Sequence, residues 1–336
     1  MKHEAGYQHW EGHHRGIWAR RLVIAGSGIK ACLQVKFMRY LIALCWIIGL
    51  FQVLLMFALS QLLVADSYIS SRVEYLRPQM QSVVRALVTW LDQHPEVSVQ
   101  AAHNILFSFF DTRLFTLSMI ATALAIPHLI TRDLSSRAIV IYSAKAVSRL
   151  DYLLGKFATM FGLLAATWLG PTVTAWIFGN LLSTKWSFFL HSLPVLGHSL
   201  AFVLVGMVVL SLLAMGVSAI SKQAKYSVAL WVALWLLGNA LIPISMITTR
   251  PWLRHLSFRY NLDQVGAAIF KIQNDFDRIT ETIPFLAQML QGPRGPRGRT
   301  AGELWFQANH LEGALIGLLI FIAIAILIVA RKTKPE

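Results

Sequence analysis

The residues best suited to recognition in this chain lie in one short stretch between two long apolar runs. Residues 131–156 carry five basic and two acidic side chains, interleaved with the apolar Ile139, Ile141 and Tyr142. Charged groups give a docking surface its specificity, and apolar side chains give it buried area. The composition therefore predicts a docking surface for another protein, while a segment that lies on the membrane stays open as the alternative.

Two groups of histidines are the other candidates for chemistry, either metal binding or acid–base catalysis. One group crowds residues 3–14, where the spacing does not match a zinc site and no cysteine accompanies the histidines. The other comprises His94 and His103 with Asp92, and no nucleophile motif surrounds it. We therefore predict no metal site and no catalytic residue.

A nucleotide-binding loop is also missing from the sequence. Such a loop requires Gly-x-x-x-x-Gly-Lys-Ser/Thr so that backbone amides can surround the phosphates. Here Gly155-Lys156 is followed by Phe157 and lacks the earlier glycine. We therefore predict that the chain is not an enzyme and holds no cofactor, so that any ATP and Mg²⁺ bind to separate partner subunits.

The elements that position residues 131–156 follow from the composition. The chain has 336 residues, of which 56% are hydrophobic and 14% charged, with 30 Lys and Arg against 16 Asp and Glu. A nucleic-acid partner is not expected despite this basic balance, because the charges are confined to short stretches. Runs without Asp, Glu, Lys or Arg have the length that a helix needs to cross a bilayer. We predict an all-α polytopic membrane protein whose six transmembrane helices are residues 40–64, 114–130, 157–182, 193–219, 226–247 and 313–330.

The distribution of basic residues predicts which side of the membrane each connection faces. If both termini are inside, the inner segments are 1–39, 131–156, 220–225 and 331–336. They hold 17 of the 30 basic and 5 of the 16 acidic residues, whereas the outer segments hold the other 13 and 11. Because cytoplasmic segments retain Lys and Arg, we expect both termini in the cytoplasm. The outer loops 65–113 and 248–312 are long enough to contain short helices.

Residues 15–37 predict an amphipathic helix ahead of the first span. Apolar side chains recur there at helical spacing, with polar ones on the other side. Arg15, Arg20 and Arg21 would meet anionic headgroups while Trp18 lies at the membrane boundary. A basic anchor that only fixes topology is the alternative to a more specific role.

The predicted spans contain polar but no charged side chains. The polar ones include Gln52, Thr167, Asn180, His198 and Asn239. Such groups commonly bond between helices. Because intramembrane charges mark ion and proton paths, their absence disfavours a proton- or sodium-coupled carrier and favours an apolar or amphipathic cargo.

Two runs in the inner loop resemble the cytoplasmic signature of ABC-2 type transporter permeases. They are Arg132-Asp133-Leu134-Ser135-Ser136-Arg137-Ala138 and Val147-Ser148-Arg149-Leu150-Asp151-Tyr152-Leu153-Leu154-Gly155-Lys156. In that family a charged stretch and a short R-x-x-x-L-x-G-K segment lead into the third span. Here Lys145-Ala146-Val147 stands where a proline is common. The plan of the chain is similar as well, with six spans, both ends inside and an amphipathic helix before the first span.

The resemblance implies a transmembrane subunit that pairs with itself or with a similar permease and carries two cytoplasmic ATPase subunits. Residues 131–156 would be the coupling loop, seated in a groove of the ATPase. By position, the implied contacts are Arg132, Asp133, Arg137, Arg149, Asp151 and Lys156, with Gly155 allowing a close approach at the start of the third span. Export across a bacterial cytoplasmic (inner) membrane is the implied activity. The alternatives are a secondary carrier or channel, and a membrane enzyme, scaffold or mechanical subunit.

Overall fold

The structure is a computed structural model that describes residue 89 and residues 16–62, 93–136, 148–183, 185–272, 274–275 and 310–333. Some predicted site residues, Arg15, Arg137, Ile139, Ile141 and Tyr142, lie outside the described residues. So does most of each predicted outer loop.

The described residues are mostly helical and include no strand. The α-helices are α1 (Ile17–Leu33), α2 (Lys36–Leu62), α3 (Pro95–Ala125), α4 (Thr131–Ser135), α5 (Arg149–Leu164), α6 (Gly170–Leu181), α7 (Ser187–His191), α8 (Leu193–Ile220), α9 (Ala224–Ile247), α10 (Phe258–Phe270) and α11 (Leu311–Lys332). A π-helical turn, Ala165–Leu169, joins α5 to α6, and 3₁₀ turns occupy Ile126–His128 and Pro251–Leu256.

Six stretches are long and apolar enough to cross a membrane. They are α2, α3 continued through α4, α5 continued through α6, α8, α9 and α11. The prediction of six membrane-crossing helices is therefore confirmed. The bounds of the first, fourth, fifth and sixth agree with the prediction to within about four residues.

The second and third membrane-crossing helices are longer than predicted. α3 begins at Pro95, so the last part of the predicted outer loop 65–113 belongs to this helix. α5 begins at Arg149, so the predicted coupling loop 131–156 is helical at both of its described ends. The charge-free runs marked only the C-terminal parts of these two stretches.

The parts of these longer helices that lie outside the charge-free runs carry charged side chains. Asp111 and Arg113 lie in α3, and Asp151 and Lys156 lie in α5. A run without Asp, Glu, Lys or Arg ends at the first charged side chain. The helix itself can continue past that residue, because the charged side chain can bind a polar partner or reach the membrane interface. The absence of ionisable groups, which disfavours an ion-coupled carrier, therefore applies to the charge-free runs and not to the full length of these helices.

α8 is the central helix of the bundle. It packs against α3, α5, α10 and α11, and its Gly206 lies against the ring of Trp168 from the π-helical turn. The Trp168 ring is fully buried, with centroid distances of 5.3 Å to Phe115 and 5.5 Å to Phe202. α2, α9 and α11 instead expose broad apolar faces, which is typical of helices that contact lipid.

A short helix from the predicted outer loop 248–312 packs among the membrane-crossing helices. α10 contacts α8, α9 and α11, and it buries Phe258 and Leu262. Ser257 caps the start of α10, since its hydroxyl accepts a hydrogen bond from the backbone N–H of Tyr260 at 3.2 Å. Residues 248–312 therefore contain one described short helix, while their place on the outer side of the membrane stays a prediction.

Candidate functional site

The predicted coupling residues that the structure describes gather at one end of the bundle, which we call the α1 end. It comprises α1, α4, the start of α5, the junction between α8 and α9, and the end of α11. Helices that run up and down bring alternate connections to the same end of a bundle. The opposite end, which holds α7, α10 and the 3₁₀ turn Pro251–Leu256, is called the far end.

Arg21 of α1 and Asp151 of α5 form the first link at the α1 end. Arg21 Nε lies 2.6 Å from Asp151 Oδ1, and Asp151 Oδ2 accepts a hydrogen bond from the Ser148 hydroxyl at 2.6 Å. Ser148 also caps α5, because its Oγ accepts a hydrogen bond from the N–H of Asp151 at 3.1 Å. One carboxylate therefore fixes both the start of α5 and the position of α1.

Asp133 of α4 forms the second link. Its Oδ2 lies 2.7 Å from Lys156 Nζ and accepts a hydrogen bond from the Tyr152 hydroxyl at 2.7 Å. Lys156 Nζ also donates to the backbone carbonyl of His128 at 3.3 Å. The side chains of Lys156 and Asp133 are 9% and 14% exposed, so this pair is largely withdrawn from water.

Arg149 forms the third link, to the end of α11. Its Nε donates to Thr333 Oγ1 at 3.0 Å, and its Nη2 donates to the backbone carbonyl of Ala330. Two side chains at this end are exposed instead. Arg132, one of the predicted contacts, is exposed, and Leu150, which lies between Arg149 and Asp151, exposes 70% of its surface. The α1 end therefore combines internally paired charges with side chains that a partner could reach.

Ser218, at the end of α8, is a structural contact that sequence reasoning missed. Its hydroxyl accepts hydrogen bonds from the N–H groups of Ile130 and Thr131 at 2.8 and 2.9 Å, and donates to the carbonyl of Ile126 at 2.8 Å. The Thr131 hydroxyl lies 3.0 Å from that of Ser227 in α9. The break between α3 and α4 is thereby joined to α8 and α9. A serine in an apolar helix gives no such signal, because most bond to their own helix.

α1 packs closely on α5 at two glycines. An added Cβ at Gly155 would stand 2.6 Å from a side-chain carbon of Ile24, so this glycine does allow a close approach, toward α1. Gly28 of α1 faces Thr159 of α5 with even less space. Glycine at both positions lets the two helix backbones come together.

The predicted membrane-interface residues lie on α1. Trp18 exposes 74% of its surface, and the Arg21 guanidinium lies over its ring at 4.6 Å from the centroid. Arg20 is half-buried, and Leu22 is exposed. The helix predicted ahead of the first span is therefore present as α1. One face of α1 packs against α5, and another face exposes apolar side chains.

Asp111 of α3 is the centre of a polar cluster at the far end that sequence reasoning also missed. It is 1% exposed, and it accepts hydrogen bonds from the Thr172 hydroxyl of α6 at 2.9 Å and the Ser199 hydroxyl of α8 at 2.5 Å. Three membrane-crossing stretches therefore meet at one carboxyl group. In the sequence Asp111 lies just before the predicted span 114–130. Its charge therefore suggests that it belongs to the preceding loop.

Three of the five polar side chains named in the predicted spans bond between elements, as expected. Thr167, Asn180 and Asn239 each contact a side chain of another element within 3.4 Å. Gln52 is fully buried, but no described residue bonds to its amide, and His198 Nδ1 likewise has no described partner.

The six long apolar helices, with no strand among the described residues, define an all-α, multi-pass integral membrane protein. Its ionic side chains hold helices together, and the described residues include no group of three or more His, Cys, Asp or Glu side chains that could bind a metal ion. Comparison with protein-family models, curated proteins and solved structures finds no match.

Proposed function

We propose that this chain is the transmembrane permease subunit of an ABC-2 type ATP-driven transporter. Residues 131–156 are its coupling loop, a separate cytoplasmic ATPase hydrolyses ATP, and a second copy or a similar permease completes the transport unit. The excess of basic residues on the α1 side supports cytoplasmic termini, in a bacterial inner membrane. The cargo is an apolar or amphipathic molecule that is exported.

The observation that carries this proposal is how both flanks of residues 137–147 are tied to the bundle. On one side, Thr131 and Asp133 join α4 to α5, α8 and α9. On the other side, Arg149 and Asp151 join α5 to α11 and α1. A displacement of the segment therefore reaches these helices through hydrogen bonds and ion pairs, which is how packed elements transmit a switch between two arrangements.

Under the proposal the predicted contacts fall into two roles. Asp133, Asp151 and Lys156 have partners within the chain and are positioning residues. Arg132 and Leu150 are exposed and contact the ATPase directly, together with side chains of residues 137–147. Exposed apolar area beside charge is what a protein interface requires.

The test compares a glutamate at Leu150 with a glutamate at the far end. Tagged full-length chain is purified from the membranes of its own host, and vanadate-sensitive ATP hydrolysis is measured in the eluate. We expect wild type to carry this activity and Leu150→Glu to lose it. Leu256→Glu is the matched control, since Leu256 is also exposed, by 46%, but lies at the far end. No hydrolysis with wild type, or equal hydrolysis with Leu150→Glu, would contradict the proposal.

A proton-coupled secondary carrier is the second candidate, and Asp111 is the observation that favours it. A buried carboxyl group that joins three membrane-crossing stretches is the kind of group that binds protons in transporters. The same purification separates the two candidates, because a carrier driven by a proton gradient copurifies no vanadate-sensitive ATPase.

A further inference from the structure

A cavity of about 350 Å³ lies at the far end between α3, α8 and α10. Aromatic rings form much of its wall, namely those of Phe109, Phe202 and Phe270. The Phe202 and Phe270 rings pack against each other with centroids 5.8 Å apart. One side of the cavity therefore offers a firm apolar surface.

The other side of the cavity is positively charged. Arg113 of α3 is exposed, its guanidinium lies over the Phe109 ring at 4.8 Å, and no acidic side chain of the described part of the chain pairs with it. Arg259 of α10 donates to the Thr116 hydroxyl at 3.2 Å, and its Nε lies 3.7 Å from Asp263 Oδ2. Two guanidinium groups thus share the cavity with a single carboxylate, which leaves one positive charge for an anion.

The depth of the cavity matches the membrane surface at the far end. Phe202 precedes Ile220, the last residue of α8, by 18 residues. A helix covers that length in about 27 Å, and the hydrocarbon core of a bilayer is about 30 Å thick. With Ile220 at one boundary of the hydrocarbon core, Phe202 lies near the opposite boundary, where the long side chain of Arg113 can reach the headgroups while the aromatic rings contact acyl chains.

We propose that this cavity binds an amphiphile with an anionic phosphate headgroup, taken from the leaflet at the far end. Arg113 contacts the phosphate, because a guanidinium can bind it through two parallel hydrogen bonds. The apolar chain packs on Phe109 and Phe270. The inference does not depend on the proposed ATPase coupling, since it requires only this chain.

The experiment titrates the purified full-length chain in an uncharged detergent with three separate probes. They are hexadecyl phosphate, hexadecylphosphocholine and inorganic phosphate, and binding is followed by isothermal titration calorimetry. We expect hexadecyl phosphate to bind about tenfold or more tightly than the zwitterionic probe, because a phosphate monoester carries nearly two negative charges whereas the choline ammonium cancels the single charge of the phosphodiester. Inorganic phosphate is expected neither to bind nor to compete at equal concentration.

Three variants locate the binding site. Arg113→Gln removes the anion contact without breaking a described ion pair, and it should weaken hexadecyl phosphate binding about tenfold. Ala267→Trp fills the cavity while keeping both arginines, and it should abolish binding. Arg250→Gln removes an exposed charge of the far end that does not line the cavity, and it should leave the affinity unchanged.

Each contrary result overturns a definite part of the inference. Equal affinity for hexadecyl phosphate and hexadecylphosphocholine overturns recognition of the anionic headgroup. Competition by inorganic phosphate at equal concentration overturns the amphiphile in favour of a free anion. Wild-type affinity in both Arg113→Gln and Ala267→Trp overturns the cavity as the site.

Discussion

The two ends of the helical bundle use their ionic side chains in opposite ways. At the α1 end, charged residues far apart in the sequence pair with each other, as Lys156 does with Asp133. At the far end, Asp111 is bonded to hydroxyl groups, and Arg113 has no acidic partner among the described residues. The α1 end therefore has its elements tied together by ion pairs, whereas the far end has a guanidinium, that of Arg113, without a described acidic partner.

The largest effect on stability is expected from Asp111→Ala at the far end. This change leaves the buried Thr172 and Ser199 hydroxyls without their acceptor, and it should lower the free energy of unfolding by about 1–3 kcal/mol for each hydroxyl. Asp111→Asn keeps one acceptor oxygen and should cost less than half as much. Thermal unfolding in detergent, followed by circular dichroism, measures both. A wild-type melting temperature for Asp111→Ala would show that the far end is not held together by this cluster.

At the α1 end, Lys156→Met is expected to cost about 3 kcal/mol, because it leaves the Asp133 carboxylate in a largely buried place without its cation. A double-mutant cycle with Asp133→Leu gives the matched control. The double variant should be more stable than the sum of the two single changes predicts, since the unpaired charge is gone. Strict additivity would mean that this ion pair does not join α4 to α5, and the contrast between the two ends would disappear.

The sequence was sufficient for the six membrane-crossing helices and for α1, because long apolar runs and helical spacing are properties of neighbouring residues. Four residues of the predicted coupling loop, Asp133, Arg149, Asp151 and Lys156, lie together at the α1 end, and their contact with an ATPase stays a prediction. Their partners could not be predicted in the same way. Arg149 bonds to Thr333, which is 184 residues away, and only the folded bundle brings such residues together.

The polar cluster around Asp111 at the far end could not be predicted from the sequence for a similar reason. Asp111 is 61 residues from Thr172 and 88 residues from Ser199. None of the three belongs to a motif, and a threonine or serine in an apolar helix usually bonds to its own backbone. The cavity beside α10 depends on how that helix packs against α3, which no local pattern encodes.

A smaller effect is expected from two glycines of α1, which test how tightly the α1 end is packed. Gly28→Ala places a methyl group against Thr159 and should cost about 1–3 kcal/mol. Gly26→Ala is the matched control in the same helix, where an added Cβ meets nothing within 4 Å. It should instead stabilise the protein by up to about 1 kcal/mol, because alanine favours a helix over glycine. Equal effects of the two changes would show that α1 is not packed on α5.

The labelling rate of the Cys32 thiol measures the contact between α1 and α5 without a substitution in either helix. Burial raises the pKa of the Cys32 thiol to about 11, although the charge of Lys156 opposes this shift. An exposed thiol has a pKa of about 8.5, and only the thiolate reacts with a maleimide. At pH 8.5 in a Cys45→Ala background, labelling should therefore be about a hundredfold slower than in the unfolded chain. The rate should continue to rise about tenfold per pH unit to pH 10, where an exposed thiol has levelled off.

The raised pKa of the Cys32 thiol also makes stability depend on pH, and two substitutions change the labelling rate in opposite directions. Because the folded state holds the Cys32 proton more tightly, the contribution of the buried thiol to stability is complete below about pH 8.5 and is lost as the pH rises toward 11. Lys156→Met removes the opposing charge and should slow labelling further if α1 stays on α5. Arg21→Gln breaks the link to Asp151 and should accelerate it. Wild-type labelling at the rate of an exposed thiol would mean that α1 separates readily from α5, and that a displacement of residues 137–147 is not passed to α1.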